Sequence, residues 1–186
     1  ITGSSGAGTT SVKRTFDEIF RREGVSAAFI EGDAFHRYDR AAMKAELEAR
    51  KAAGDQTFSH FSYEANELAE LENIFATYAT TGKGRTRHYV HDDREAALWG
   101  VAPGKFTEWA PFEDGSDLLF YEGLHGAVVN DEVNLAKHAD LKIGVVPVVN
   151  LEWIQKIHRD KASRGYTTEA VTDTILRRMH AYVHCI

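Results

Sequence analysis

Gly3-Ser4-Ser5-Gly6-Ala7-Gly8-Thr9-Thr10 has the residue types and spacing of a phosphate cradle. Gly3 and Gly8 match the fixed glycines of the P-loop template, and Thr10 matches its closing hydroxyl. Glycine lets a backbone curl until successive N–H groups converge on phosphate oxygens. A following helix adds the positive end of its dipole. Thr10 would then ligate the Mg2+ that bridges the outer phosphates of ATP. Thr9 stands where a lysine is usual. A plain glycine turn capping a helix would use the same residues. The amphipathic stretch behind the loop and the acids further on favour nucleotide binding. Without the lysine, another cation must offset the charge that develops on a transferred phosphoryl group.

Two acids fall at the ends of apolar runs: Asp33 after Val25 to Ile30, and Glu122 after Leu118 to Tyr121. In an open parallel sheet such ends line the ligand crevice. Asp33 is the candidate general base, and Glu122 the candidate Mg2+ ligand, directly or through water. His36, Arg40 and Lys44 follow Asp33 at spacings of four and suit an anionic acceptor. His91 is a further candidate contact. A basic stretch, Leu151 to Arg164, reads as a mobile lid helix, with Trp153, Ile154 and Ile157 on an apolar side and Lys156, Arg159, Asp160 and Ser163 opposite. Lys156 is the first candidate for the missing cation, with Arg159 and Arg164 beside it. A solvated basic face is the alternative for each of these groups. His180, His184 and Cys185 have helical spacing, but no fourth zinc ligand is evident near them.

The elements that must position these residues follow from periodicity. Thr9 to Glu23 carries Val12, Phe16, Ile19 and Phe20 on one helical face, closed by Gly24. Val25 to Ile30 reads as a buried strand. Asp39 can cap a helix running to Gly54, and another helix is expected from about Glu64 to Thr80. Residues 84–114 read as mixed, with a short strand around Arg87 to Val90 and irregular structure after it. Asp117 to Tyr121 and Leu141 to Val149 read as strands, and Leu151 to Ser163 and Thr168 to His184 as helices. Alternating strands and helices imply one α/β domain over residues 1–186, with a mostly parallel sheet flanked by helices, the P-loop kinase fold. Only Ile1 precedes the loop as a possible strand residue, so the expectation is a fragment whose first strand is largely missing.

The 186 residues carry 28 acids against 22 lysines and arginines, a formal charge of −6 that disfavours nucleic-acid binding. No apolar run approaches the roughly 20 residues needed to span a bilayer. One cysteine excludes an intrachain disulfide framework. No secretory leader pattern is present, so a cytoplasmic location is expected.

Further strings are Glu31-Gly32-Asp33-Ala34-Phe35-His36, Phe58-Ser59-His60-Phe61-Ser62-Tyr63-Glu64-Ala65-Asn66 and Tyr121-Glu122-Gly123-Leu124-His125-Gly126. With these, the glycine loop and Asn150 to Asp160, the sequence closely resembles the bacterial branch of the phosphoribulokinase family. Bacterial members of that family also carry threonine at the Thr9 position. The resemblance implies ATP- and Mg2+-dependent phosphorylation of the C1 hydroxyl of D-ribulose 5-phosphate, giving ribulose 1,5-bisphosphate for the Calvin cycle. By the same resemblance Asp33 is the base, Glu122 helps to hold Mg2+, and Lys156, Arg159 and Arg164 attend the phosphates. His36, Arg40, Lys44 and His91 become the sugar-phosphate contacts. Homo-oligomers and activation by NADH are also implied, with Arg22, Arg177 and Arg178 as candidates for that regulation. Ala7 occupies the place of the P-loop cysteine of plant relatives, so thiol switching is not expected. Two rivals use the same scaffold: a uridine or pantothenate kinase-like enzyme, and a nucleotide sensor without catalysis.

Overall fold

Strand β1 (Thr2–Gly3) runs into the glycine loop and helix α1 (Thr9–Glu23) leaves it. The chain continues through β2 (Ala27–Glu31), a 3-10 turn (Gly32–Phe35), α2 (Arg40–Ala52), a second 3-10 turn (Tyr63–Ala65) and α3 (Leu68–Thr81). Next come β3 (Arg85–Thr86), α4 (Asp93–Trp99), β4 (Ala110–Pro111) and β5 (Leu118–Glu122). A third 3-10 turn (Leu135–His138) precedes β6 (Gly144–Val145), α5 (Val149–Arg164), α6 (Thr168–Arg177) and α7 (Met179–Cys185). The computed structural model describes residues 1–185, apart from the side chains of Ser163, Arg164, Ala181 and Tyr182.

β2 and β5 pair in parallel from Ala27–Leu118 to Glu31–Glu122, and β1 pairs in parallel with β6. A parallel bridge between Thr2 and Gly123 joins the two pairs, with the Gly3 N–H donating to the Gly123 carbonyl. The spatial order is therefore β2-β5-β1-β6. β3 and β4 form a separate antiparallel pair. This is the expected α/β architecture, with the carboxyl ends of β1, β2 and β5 side by side.

The aromatic residues of α1 explain its seat on the sheet. Phe16 and Phe20 meet Phe120 at 5.4 and 5.7 Å, and Phe29 completes the group at 5.5 Å from Phe120. Such pairs add about 0.5–1.5 kcal/mol each beyond the area they bury. On the other face of the sheet, Ile30 and Tyr121 pack with Phe35, Leu71, Phe75 and Leu135 in the main core.

Several boundaries differ from the sequence expectations. β1 includes Thr2 and Gly3 rather than Ile1 alone, because Gly3 can both pair and begin the curl. A Cβ there would lie 2.7 Å from the Val145 carbonyl oxygen. α3 starts at Leu68, not Glu64, since the Asn66 amide donates to the His60 and Ser62 carbonyls and holds its own residue extended. The strand expected at 87–90 lies instead at Arg85–Thr86, and Tyr89 makes only an isolated bridge to Phe106. Arg87 turns inward to the carbonyls of Ala34 and His36. α4 occupies part of the stretch read as irregular, because Asp92 caps the N–H groups of Arg94 and Glu95. The 141–149 run is strand only at Gly144–Val145, with Pro147 following and α5 beginning at Val149. The 168–184 helix divides at Arg178 into α6 and α7.

Candidate active site

Gly6 and Gly8 adopt φ of 106° and 100°, which curls the loop between β1 and α1. The Ala7 N–H donates to the Ser4 carbonyl at 3.0 Å, and both residues are buried. Helix α5 lies directly over this curl. A Cβ at Gly6 would be 3.2 Å from both the Glu152 carbonyl oxygen and the Lys156 Cβ.

The face that α5 turns to the loop is polar. Glu152, Lys156 and Asp160 are only 3%, 7% and 4% exposed, whereas Ile154 is 52% exposed. The apolar side expected from the pattern is thus partly the outer one. Lys156 Nζ lies 3.4 Å from Ser5 Oγ and 3.2 Å from Asp160 Oδ2. Arg159 donates to Asp160 at 2.9 Å and reaches Ser5 Oγ at 3.4 Å. Burial pulls the Lys156 ammonium down to about 8, with Arg159 and Arg178 adding to the effect and Asp160 opposing it. Asp160 is the functional candidate that pattern reading left on a polar face without a role. Arg164, named with these cations, lies outside the described side chains.

Glu122 ends β5. Burial raises its carboxyl above the usual range, the neighbouring charges of Asp33 and Glu31 push the same way, and the Thr9 hydroxyl partly offsets them. Thr10 is exposed on the first turn of α1, so the hydroxyl bonded to Glu122 belongs to Thr9. These are hard oxygen donors of the kind Mg2+ takes. Among the described residues no group of three or more His, Cys, Asp or Glu could cage a metal. That set fits an ion completed by nucleotide phosphates and water.

Asp33 sits one residue past Gly32, where β2 meets β5 with no side chain between them. A Cβ on Gly32 would be 2.6 Å from Tyr121 Oη and 2.9 Å from the Gly123 Cα. Its carboxylate lies 2.9 Å from His91 Nε2 and 3.4 Å from His36 Nε2, with 43% of its side chain open to solvent. Enclosure by protein works to raise this carboxyl, but the hydrogen bonds and charges of His36 and His91 prevail and hold it well below the usual range. For both histidines burial works downward, Asp33 outweighs it, and their affinity for the proton rises.

Supporting residues fix this group. His36 Nδ1 is 2.8 Å from Asn66 Oδ1. Arg40 donates to the His91 carbonyl at 2.8 Å, which joins two of the predicted acceptor contacts. Arg87 is clamped over the turn by its bonds to Ala34 and His36 and by stacking 3.8 Å from the Phe106 ring. His60 lies 5.2 Å from the His36 ring and is held neutral by burial, which lowers it to about 3. Lys44, on the α2 turn after Arg40, is exposed. Asn66, Arg87 and Glu95 had no sequence role assigned. Only Glu95 carried a signal, as the third residue after the helix cap Asp92.

A glycine curl between a parallel strand and a helix, with acids at adjoining strand ends, defines a P-loop kinase fold. A putative fructose transport system kinase from Silicibacter shares that fold, with a TM-score of 0.70 at 12% identity over 98% of this chain and 82% of its own. The family model described as phosphoribulokinase / uridine kinase matches residues 1–186. The chain belongs to this family. It is 77% identical to phosphoribulokinase 2 of Cereibacter sphaeroides and 69% identical to phosphoribulokinase of Nitrobacter vulgaris, each over 186 residues. Each alignment covers 100% of this chain and 64% of the relative, so the chain spans about two-thirds of their length at most. The solved phosphoribulokinase from Rhodobacter spheroides aligns with a TM-score of 0.84 and 72% identity, over 100% of this chain and 63% of that one. No helix among the described residues is long and apolar enough to cross a membrane.

Proposed function

We propose that this chain forms the catalytic part of a phosphoribulokinase, which transfers the γ-phosphoryl group of ATP to the C1 hydroxyl of D-ribulose 5-phosphate. The observation that carries the reading is the Asp33 carboxylate, held ionised by two histidines at the end of β2, across β5 from the strand that runs into the glycine curl. In this reading the curl from Gly3 to Thr10 binds the triphosphate. Glu122, with Thr10, would hold Mg2+, which would supply charge neutralisation for the phosphates. Lys156 and Arg159 stand in for the P-loop lysine, with Asp160 aligning them and Arg164 beside them. His36, Arg40, Lys44 and His91 receive the acceptor phosphate. Asp33 accepts the hydroxyl proton as the oxygen attacks.

Assembly into a homo-oligomer, response to NADH and a cytoplasmic place in carbon dioxide fixation belong to the same reading. A cluster of cations beside the base favours a phosphorylated acceptor over uridine or pantothenate. The acids at both strand ends favour catalysis over nucleotide sensing. ADP release by the full-length protein tests all three, with ribulose 5-phosphate, uridine and pantothenate compared. Turnover with ribulose 5-phosphate is expected. Turnover with uridine or pantothenate alone, or ATP binding without turnover, would overturn the reading.

A further inference from the structure

His91 lies between two carboxylates. Its Nε2 is 2.9 Å from Asp33 Oδ2 and its Nδ1 is 3.1 Å from Glu95 Oε2. The same Glu95 oxygen accepts the His91 backbone N–H at 2.7 Å. A neutral imidazole has one N–H and one lone pair, so one of the two ring contacts would set a lone pair against a carboxylate oxygen. The doubly protonated ring donates to both. Glu95 is itself fixed, because its own N–H is held by the Asp92 cap at 3.1 Å on the first turn of α4.

We propose that Glu95 is a positioning residue whose negative charge keeps His91 protonated and aimed at Asp33, so that a fixed cation faces an anionic acceptor. The role assigned to the acceptor rests on the function proposed above. The groups around His91 divide by sign. Asp33, from the turn after β2, and Glu95, from α4, favour the charged ring. His36, across Asp33, and the Arg40 guanidinium, on the His91 carbonyl from α2, work against it. The Tyr89 ring packs edge-on at 5.0 Å without a charge of its own. Without Glu95, one carboxylate would have to hold two imidazolium rings beside a guanidinium. The direction in which His91 is shifted agrees with this balance.

The test is Glu95→Gln in the full-length protein, with the His91 ring followed by nitrogen NMR in the absence of any substrate. Glutamine keeps an acceptor oxygen for both His91 contacts and removes only the charge. The expected result is a His91 midpoint at lower pH than in the parent protein. With ribulose 5-phosphate as the probe, KM should be nearly unchanged at about pH 6 and about tenfold higher at about pH 8, since a contact loses its charge there. Glu95→Asp, which retains the charge, should restore the midpoint toward the parent value. An unchanged midpoint in Glu95→Gln overturns the proposal, as does an Asp variant that titrates like Gln. A shifted midpoint in a protein that turns over no sugar phosphate would sustain the charge role and reject the assigned function.

Discussion

Lys156 Nζ lies 3.4 Å from Ser5 Oγ, although 151 positions separate the two residues in sequence. A cation thus reaches the glycine loop from α5, whereas the loop itself carries Thr9. Arg159 adds a second cation at the same serine, and Asp160 pairs with both side chains.

Lys156→Met should therefore lower turnover much more than it weakens acceptor binding. Electrostatic stabilisation of a transferring phosphoryl group commonly contributes about 100- to 1,000-fold. Steady-state kinetics with ribulose 5-phosphate varied at saturating ATP read this directly. A change confined to KM for the sugar would place the lysine in the acceptor pocket instead.

Asp33→Asn should retain ATP binding while turnover falls by about 100- to 10,000-fold, the usual range for a positioned base. Calorimetric titration with ATP and an ADP-release assay check the two halves. Near-normal rates would remove Asp33 as the base.

The same carboxylate links stability to pH. Its lowered proton affinity means that its pairing stabilises the fold above the ordinary value of 3.8 and loses that contribution as pH falls through the folded-state value. His36 and His91 are shifted upward, so their share is complete below 6.5 and fades as pH rises through their folded-state values. The melting temperature lost in Asp33→Asn should thus be greatest between 3.8 and 6.5 and shrink on the alkaline side. Melts at about pH 6 and about pH 9 decide it, and an equal loss at both would show that the ion pairs are not the source.

Gly32→Ala should destabilise the protein by about 1–3 kcal/mol, because the new methyl group would overlap Tyr121 Oη and the Gly123 backbone. Denaturant unfolding with and without the substitution measures it. A loss below about 0.5 kcal/mol would mean that the strand ends can part freely.

The elements with strong local signals are legible in the sequence. α1 was legible from its four apolar positions and Gly24, and α2 from Asp39, whose side chain does accept the Ala42 N–H. β2 and β5 were legible as apolar runs ending in acids. The two-residue strands β1 and β6 were legible only as Ile1 and the longer run Leu141 to Val149, because their bounds are defined by pairing rather than composition. α4 escaped because Asp92 and Glu95 lie in a charged, aromatic stretch with no helical apolar face. α5 and its face with Lys156, Arg159 and Asp160 were found, but the burial of that face was not. Periodicity assigns apolar residues to the interior, whereas Glu152, Lys156 and Asp160 are buried by a partner that is polar itself. Arg87 gave no signal, since its role depends on two carbonyls about 50 positions earlier, 53 and 51 residues away.

Gly32 and Gly123 touch main chain to main chain: a Cβ on Gly123 would come within 2.7 Å of the Gly32 Cα. No side-chain rotation can lengthen or shorten that junction. The backbone positions from which Asp33 and Glu122 project are consequently spaced by atomic radii alone.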